Sequence, residues 1–316
     1  MAGKNLRIAF MGTPDFAIPT LKALCENYTV VCAVTKEDKP KGRGNKLTSP
    51  PVKIFAQERG IPVLQPESVR TEAFAAELSS FRADLFVTCA YGKILPQSVL
   101  DIPELGTINV HASILPKYRG AAPLWHCVIN GEKEVGVTTM YTDIGMDTGD
   151  ILQIEKIPLG PDTTMGEVHD TLAEMGGRII ITTIEALRNG TLTRMPQNHK
   201  EATYAPMISK EDGVIDWSKS AEEIHNLVRG MNPFPAASTM LNGEKLKIFI
   251  TAKNMERSAG NAAPGTVIGT DAEGIQVAAG KGIIVIKELQ GPSAKRMTAG
   301  AYLNGHPIKE GTVLGI

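Results

Sequence analysis

The sequence predicts an α/β protein. A Rossmann-like, mostly parallel, doubly wound N-terminal domain is expected over residues 1–189 and a small OB-like β-barrel over 209–316, joined by a linker at 190–208. Three observations carry this. Short apolar runs alternate with helix-like segments through the first part, the pattern of βαβ units. After residue 209 one helical segment is followed by short β-like segments separated by Gly turns, which suits a small closed sheet. Between them, Gly190 to Ile208 is rich in Thr, Pro, Gln, Asn and Lys and has no period. A chain of 316 residues holds two domains at ~100–200 residues each.

Leu6 to Met11 reads as the first strand, Gly12-Thr13-Pro14-Asp15 as a turn, and Phe16 to Glu26 as a helix. Tyr28 to Val34 is a second strand. Lys36 to Pro51 is a long polar loop. Pro51 to Arg59 and Thr71 to Ser80 are helical, with a short strand, Ile61 to Leu64, between them. Leu85 to Cys89 and Leu105 to Val110 are buried strands, and Ala121 to Ile129 is a helix. Val135 to Tyr141 and Ile151 to Ile157 flank a Gly-rich polar loop and suit an antiparallel pair at the sheet edge. Thr164 to Arg188 is a long helix whose internal Gly176-Gly177 either permits close packing or marks a kink, since each Gly costs ~1 kcal/mol relative to Ala. In the second part, Ala221 to Gly230 is a helix. Strands follow at Ser238 to Leu241, Leu246 to Ala252, Gly265 to Thr270, Ile275 to Ala278 and Ile283 to Leu289, with Asn242-Gly243 as a hairpin turn.

The formal charge of −1 argues against a chain wholly devoted to coating nucleic acid, but the average leaves room for a local basic patch. Cys25, Cys32, Cys89 and Cys127 are scattered without a C-x-x-C pair, so buried free thiols are expected rather than a zinc or redox site. No signal peptide or membrane-length apolar run is seen. A soluble, cytoplasmic monomer without a metal is the expectation.

The stretch Ile108 to Gly120, INVHASILPKYRG, carries the chemistry. Asn109 and His111 stand two residues apart at a strand's carboxyl end, so an extended chain puts both on one face. A neutral amide donor beside a titratable imidazole suits oxyanion stabilisation and proton movement. Either residue alone reads as an ordinary turn or surface group. Further on, Asp143-Ile144-Gly145-Met146-Asp147-Thr148-Gly149-Asp150 reads by itself as an acidic surface loop, and its spacing misses the EF-hand pattern. His126, His169, His199, His225 and His306 read as surface, loop or packing residues.

Taken whole, the first string resembles the Asn-x-His-x-Ser-Leu-Leu-Pro signature of the folate-dependent formyltransferases, with Ile114 in place of a Leu. The resemblance implies that Asp147 completes a catalytic trio with Asn109 and His111. In such a trio an amine attacks the formyl carbon of 10-formyltetrahydrofolate. Asn109 donates to the developing oxyanion, His111 donates or shuttles a proton, and Asp147 holds the imidazole. It also implies that Ser113, Ile114, Leu115 and Pro116 line the folate pocket, with Tyr91 and Asp143 nearby. No metal is required.

Gly12-Thr13-Pro14-Asp15-Phe16 lacks the three-glycine dinucleotide fingerprint, which disfavours hydride chemistry. The Lys36 to Pro51 loop carries Lys36, Lys39, Lys41, Arg43 and Lys46. On composition it is a solvated surface loop, though its charge also suits phosphates. It resembles the basic insertion of the methionyl-tRNA formyltransferases, as Arg229 to Ala236 resembles their second domain. That implies tRNA contacts by Arg43, Lys41 and Lys46, and formyl transfer to the α-amino group of methionyl initiator tRNA, in support of translation initiation. Two rivals remain: a nucleotide-sugar formyltransferase, which shares the fold and the trio, and, in a different class, a formyltetrahydrofolate hydrolase or folate-binding regulator, which needs no aminoacyl acceptor.

Overall fold

The computed structural model describes residues 6–41, 46–255 and 259–315. The chain splits into two compact units. The first comprises residues up to Pro123, Glu134–Ile157 and His169–Pro206; the second comprises Leu124–Lys133, Pro158–Val168 and Met207 onward.

In the first unit β1 (Arg7–Gly12) leads through a 3-10 turn into α1 (Ile18–Asn27), then β2 (Thr29–Val34). The loop expected over residues 36–51 contains a short hairpin, β3 (Lys39–Lys41) and β4 (Lys46–Thr48), before α2 (Pro51–Glu58) and β5 (Val63–Leu64). Next come α3 (Glu72–Ser80), β6 (Leu85–Cys89), the short α4 (Gln97–Leu100), β7 (Thr107–His111) and β8 (Arg119–Gly120), then α5 (Pro123–Ile129), which belongs to the second unit from Leu124 on, and, back in the first unit, β9 (Glu134–Tyr141) and β10 (Ile151–Pro158). The seven-stranded sheet runs β10-β9-β7-β6-β1-β2-β5. β2, β1, β6 and β7 are mutually parallel, and β9 is antiparallel to β7. Tyr141 donates to the carbonyl of Asp150 while Gly136 lies against that of Glu155, so β9 and β10 run oppositely, as the edge pair was expected to.

Alternation along β1 shows why these runs are strands covered on both faces. Ala9 and Met11 join Phe74, Leu78 and Phe86 in one core, while Ile8 and Phe10 are equally buried on the other face. On that second side, α6 (Met165–Arg188) packs by its two glycines. A Cβ at Gly177 would stand 2.8 Å from the Pro19 carbonyl, and one at Gly176 3.1 Å from Val110. The helix is continuous, so the glycines serve close packing rather than a kink.

The segment 190–206, expected as part of an inter-domain linker, is bound into the first unit. Met195 bridges Ile151, and β11 (Tyr204–Ala205) pairs in parallel with β8. Most of its polar side chains face solvent; Gln197 is buried and donates to the carbonyls of Asp147 and Gly149, and Thr203 Oγ1 accepts from Tyr118 N.

In the second unit α7 (Ala221–Gly230) begins with a capping box, Ser220 with Glu223, and presents Ile224 and Val228 to the core. The strands are β12 (Ala237–Leu241), β13 (Glu244–Asn254), β14 (Val267–Asp271), β15 (Gly274–Ala278), β16 (Ile283–Gln290) and β17 (Met297–Thr298), followed by α8 (Ala299–Gly305). Their antiparallel order is β12-β13-β16-β15-β14, with β17 beside β16. Asn242 and Gly243 both have positive φ, 51° and 79°, in the two-residue hairpin between β12 and β13. Residues 311–315 close the curl. They bond to Val267 and Gly265 on the β14 side, and Gly315 donates to Met240 of β12. Among the described residues, no helix is long and apolar enough to cross a membrane.

Candidate active site

β7 ends at His111 in register with Thr138 of β9, and Asn109 lies opposite Met140. The side chains of Asn109 and His111 therefore share a face and meet the same carboxylate. Asn109 Nδ2 donates to Asp147 Oδ1 at 3.4 Å, and His111 Nδ1 stands 3.7 Å from Asp147 Oδ2. The three residues of the expected trio are thus brought together.

Their orientations are fixed by neighbours. Thr88 of β6 donates its hydroxyl to Asn109 Oδ1 at 2.8 Å, which leaves the amide nitrogen as the face directed at Asp147. His111 Nε2 lies 3.0 Å from the Tyr118 carbonyl and must donate to it. Nδ1 is then the nitrogen on the Asp147 side. Gly120 N donates to Asp147 Oδ2 at 2.8 Å. Gly120 itself has φ 118°, and a Cβ there would lie 2.9 Å from the Ala205 carbonyl, so a side chain is excluded. Asp147 has φ 53°, a left-handed conformation that costs a non-glycine residue roughly 1–3 kcal/mol and persists only where surroundings over-determine it.

After β7 the chain turns within a few residues. Ser113 is fully buried and donates to the Lys117 carbonyl at 2.7 Å. Thr138 donates to the Ser113 carbonyl and receives the Leu115 amide. Leu115 is buried against Met140 and Ile151, Ile114 approaches Gly136, and the Leu115–Pro116 bond is cis. The side chains of Ser113 and Leu115 are therefore occupied in shaping this loop. Asp143 is exposed, and its Oδ1 accepts from Gly145 N and Thr148 Oγ1, folding the loop that carries Asp147.

Tyr91 follows β6 and is buried, with its carbonyl held by Thr13. Its hydroxyl and that of Thr142 are buried without a hydrogen-bond partner among the described residues, and burial raises the Tyr91 pKa. Cys89, at the end of β6, is pushed up to about 12 by burial and stays a neutral thiol. The Lys36 pKa is lowered by burial and then by Lys39 and Lys93. Lys41 and Lys46 are register partners across the β3–β4 hairpin, and Arg43 lies outside the described residues. Among the described residues, no group of three His, Cys, Asp or Glu is placed to hold a metal ion.

Several residues of the site were invisible in the sequence. Arg119, only 2% exposed, bonds Gln197 Oε1 through Nε at 3.1 Å and Nη2 at 2.6 Å, and its Nη2 meets His199 Nδ1 at 3.2 Å. Gln197 in turn donates to the carbonyls of Asp147 and Gly149. These partners are separated by some fifty to eighty positions, and no local pattern links them.

The arrangement couples an amide donor, an imidazole and an acid at the carboxyl edge of a parallel sheet, where open α/β sheets hold ligands. A formyl transferase family model matches residues 6–184, and a model of the formyl transferase C-terminal domain matches 207–307. A methionyl-tRNA formyltransferase of Acetivibrio thermocellus is 52% identical over 311 residues, covering 98% of this chain and 100% of its own. One of Desulfotalea psychrophila is 51% identical over 312 residues, covering 98% and 96%. Among solved structures, HypX from Aquifex aeolicus in complex with tetrahydrofolic acid aligns with TM-score 0.63 and 18% identity, a likeness of fold. The match covers 97% of this chain, which spans 49% of HypX. The chain belongs to the formyl transferase family, among the methionyl-tRNA formyltransferases.

Proposed function

We propose that this protein transfers the formyl group of 10-formyltetrahydrofolate to the α-amino group of methionyl initiator tRNA. The observation that carries the reading is full-length identity of 52% to a methionyl-tRNA formyltransferase. The trio supplies the chemistry. One N–H of Asn109 faces Asp147, and the second is the oxyanion donor. His111, committed through Nε2 to Tyr118, exchanges its proton at Nδ1, where Asp147 holds the ring in place.

10-Formyltetrahydrofolate supplies the formyl group as co-substrate. The residues suit a pterin: the unpartnered hydroxyls of Tyr91 and Thr142 offer polar contacts, and the loops of Ser113, Ile114, Leu115 and Pro116 and of Asp143 frame the site. Arg43, Lys41 and Lys46 meet tRNA phosphates, and the barrel of the second unit adds to the grip on tRNA. The experiment is single-turnover formyl transfer with charged initiator Met-tRNA, a panel of sugar amines, and no acceptor. Fast transfer to Met-tRNA alone is expected. Transfer to a sugar amine, or formate release without acceptor, overturns the substrate assignment.

A further inference from the structure

Gln197 lies in the stretch that reads as a linker, yet its side chain is 7% exposed and bonded at both ends. Nε2 donates to the Asp147 carbonyl at 2.9 Å and to the Gly149 carbonyl at 2.7 Å. Oε1 accepts twice from Arg119. A guanidinium only donates and carbonyls only accept, so a single orientation of the amide satisfies all four bonds. These bonds fall on the one turn where Asp147 adopts its left-handed conformation, while Gly120 N holds the carboxylate from the other side.

We propose that Gln197 is a positioning residue for catalysis. Set by Arg119, it locks the backbone of Asp147 so that the carboxylate spans Asn109 and His111. The proposal rests on the reading of that trio as catalytic. It makes the 195–205 segment part of the catalytic apparatus rather than a connector. It also gives buried Arg119 a purpose: the guanidinium orients an amide two bonds away from the acid without reaching the acid itself.

Two substitutions separate positioning from mere packing. Gln197→Met keeps the side chain's length and removes every hydrogen bond. Gln197→Glu keeps, and strengthens, acceptance from Arg119, but turns an acceptor toward the two carbonyls. Should the residue only anchor Arg119, Gln197→Glu retains activity. Should it position Asp147, both variants lose kcat by roughly 10- to 100-fold at temperatures where each is folded, with KM for folate and Met-tRNA unchanged; a lowered Tm is expected of both, since buried polar groups lose their partners.

A folded variant with undiminished kcat, or a loss confined to KM, overturns the proposal. If Gln197→Met does not fold, Gln197→Glu decides; if neither folds, the role is structural and the proposal fails. Wild-type turnover on Met-tRNA is the control for the substrate assignment. Its absence sinks that assignment alone, and the three proteins are then compared in formate release from 10-formyltetrahydrofolate, which uses the same trio.

Discussion

One hydroxyl on the neighbouring strand decides what Asn109 can do. Thr88 occupies Oδ1 of the amide, so Nδ2 is the end that faces Asp147. In the proposed trio, Asn109→Ala removes the oxyanion donor and Asp147→Ala frees the imidazole. Each is expected to lower single-turnover formyl transfer by ~100- to 1,000-fold. Thr88→Val leaves the amide in place but unoriented and forfeits about 0.5–1.5 kcal/mol, a loss of several-fold. Near-normal rates in purified Asn109→Ala would remove that residue from the chemistry. At this scale the sequence exposed what is local. The two-residue spacing of Asn109 and His111 on a strand end fixed their shared face, and the motif pointed on to Asp147. Thr88, Arg119 and Gln197 stayed hidden because their roles exist only after strands and loops remote in sequence meet. The choice of His111 nitrogen was equally hidden, since it depends on where the Tyr118 carbonyl lies.

At the level of elements, the strands and helices with clear period were legible, and α7 matches its expected span residue for residue. What was missed is short or borrows its stability from elsewhere. The β8–β11 pair and the β3–β4 hairpin span two or three residues a strand, and α4 and α8 are one or two turns long. Gly177 tests the packing reading of α6. Alanine there gains about 1 kcal/mol of helix propensity, but its Cβ meets the backbone of Pro19, which cannot swing aside, at a cost of about 1–3 kcal/mol. A lower Tm is expected, and a higher one would favour a helix free to shift.

His225 of α7 gives that unit a pH dependence. It is buried, bonded to Thr251 and the Pro161 carbonyl, and faces Asp162, Lys253 and Arg229. Burial, then Lys253, lowers its pKa against the opposing pull of Asp162. The unfolded chain therefore binds a proton more readily than the folded one. The stabilisation is complete above the ordinary value of about 6.5 and is lost as pH falls through the lowered folded value. The Tm difference between wild type and His225→Gln should narrow as pH drops from about 8 to about 5.5. A constant difference would show that the imidazole keeps one charge state in both forms.

Across the whole molecule, a net charge of −1 means that affinity for a polyanion has to come from where the cations stand, not from their number. The hairpin gathers Lys39, Lys41 and Lys46, with Arg43 between its strands in the sequence. Its base is clamped by Asp38, which binds Lys53 at 2.8 Å as well as Ser49 and Gln65. The bond from Lys53 holds the Asp38 carboxyl down at about 2, so the clamp stays charged at any working pH. A segment tied at its base and rich in cations by sequence should bind tRNA phosphates one cation at a time. Log affinity for Met-tRNA should then fall linearly with log salt. Replacing Lys41 or Lys46 by Met should make that slope shallower by about one. Arg43→Ala should slow transfer to Met-tRNA more than its change in slope accounts for, because an arginine can also hold a nucleotide in a fixed geometry. A salt-independent affinity, or equal rates for Arg43→Ala and wild type, would detach the loop from the acceptor and leave it as surface.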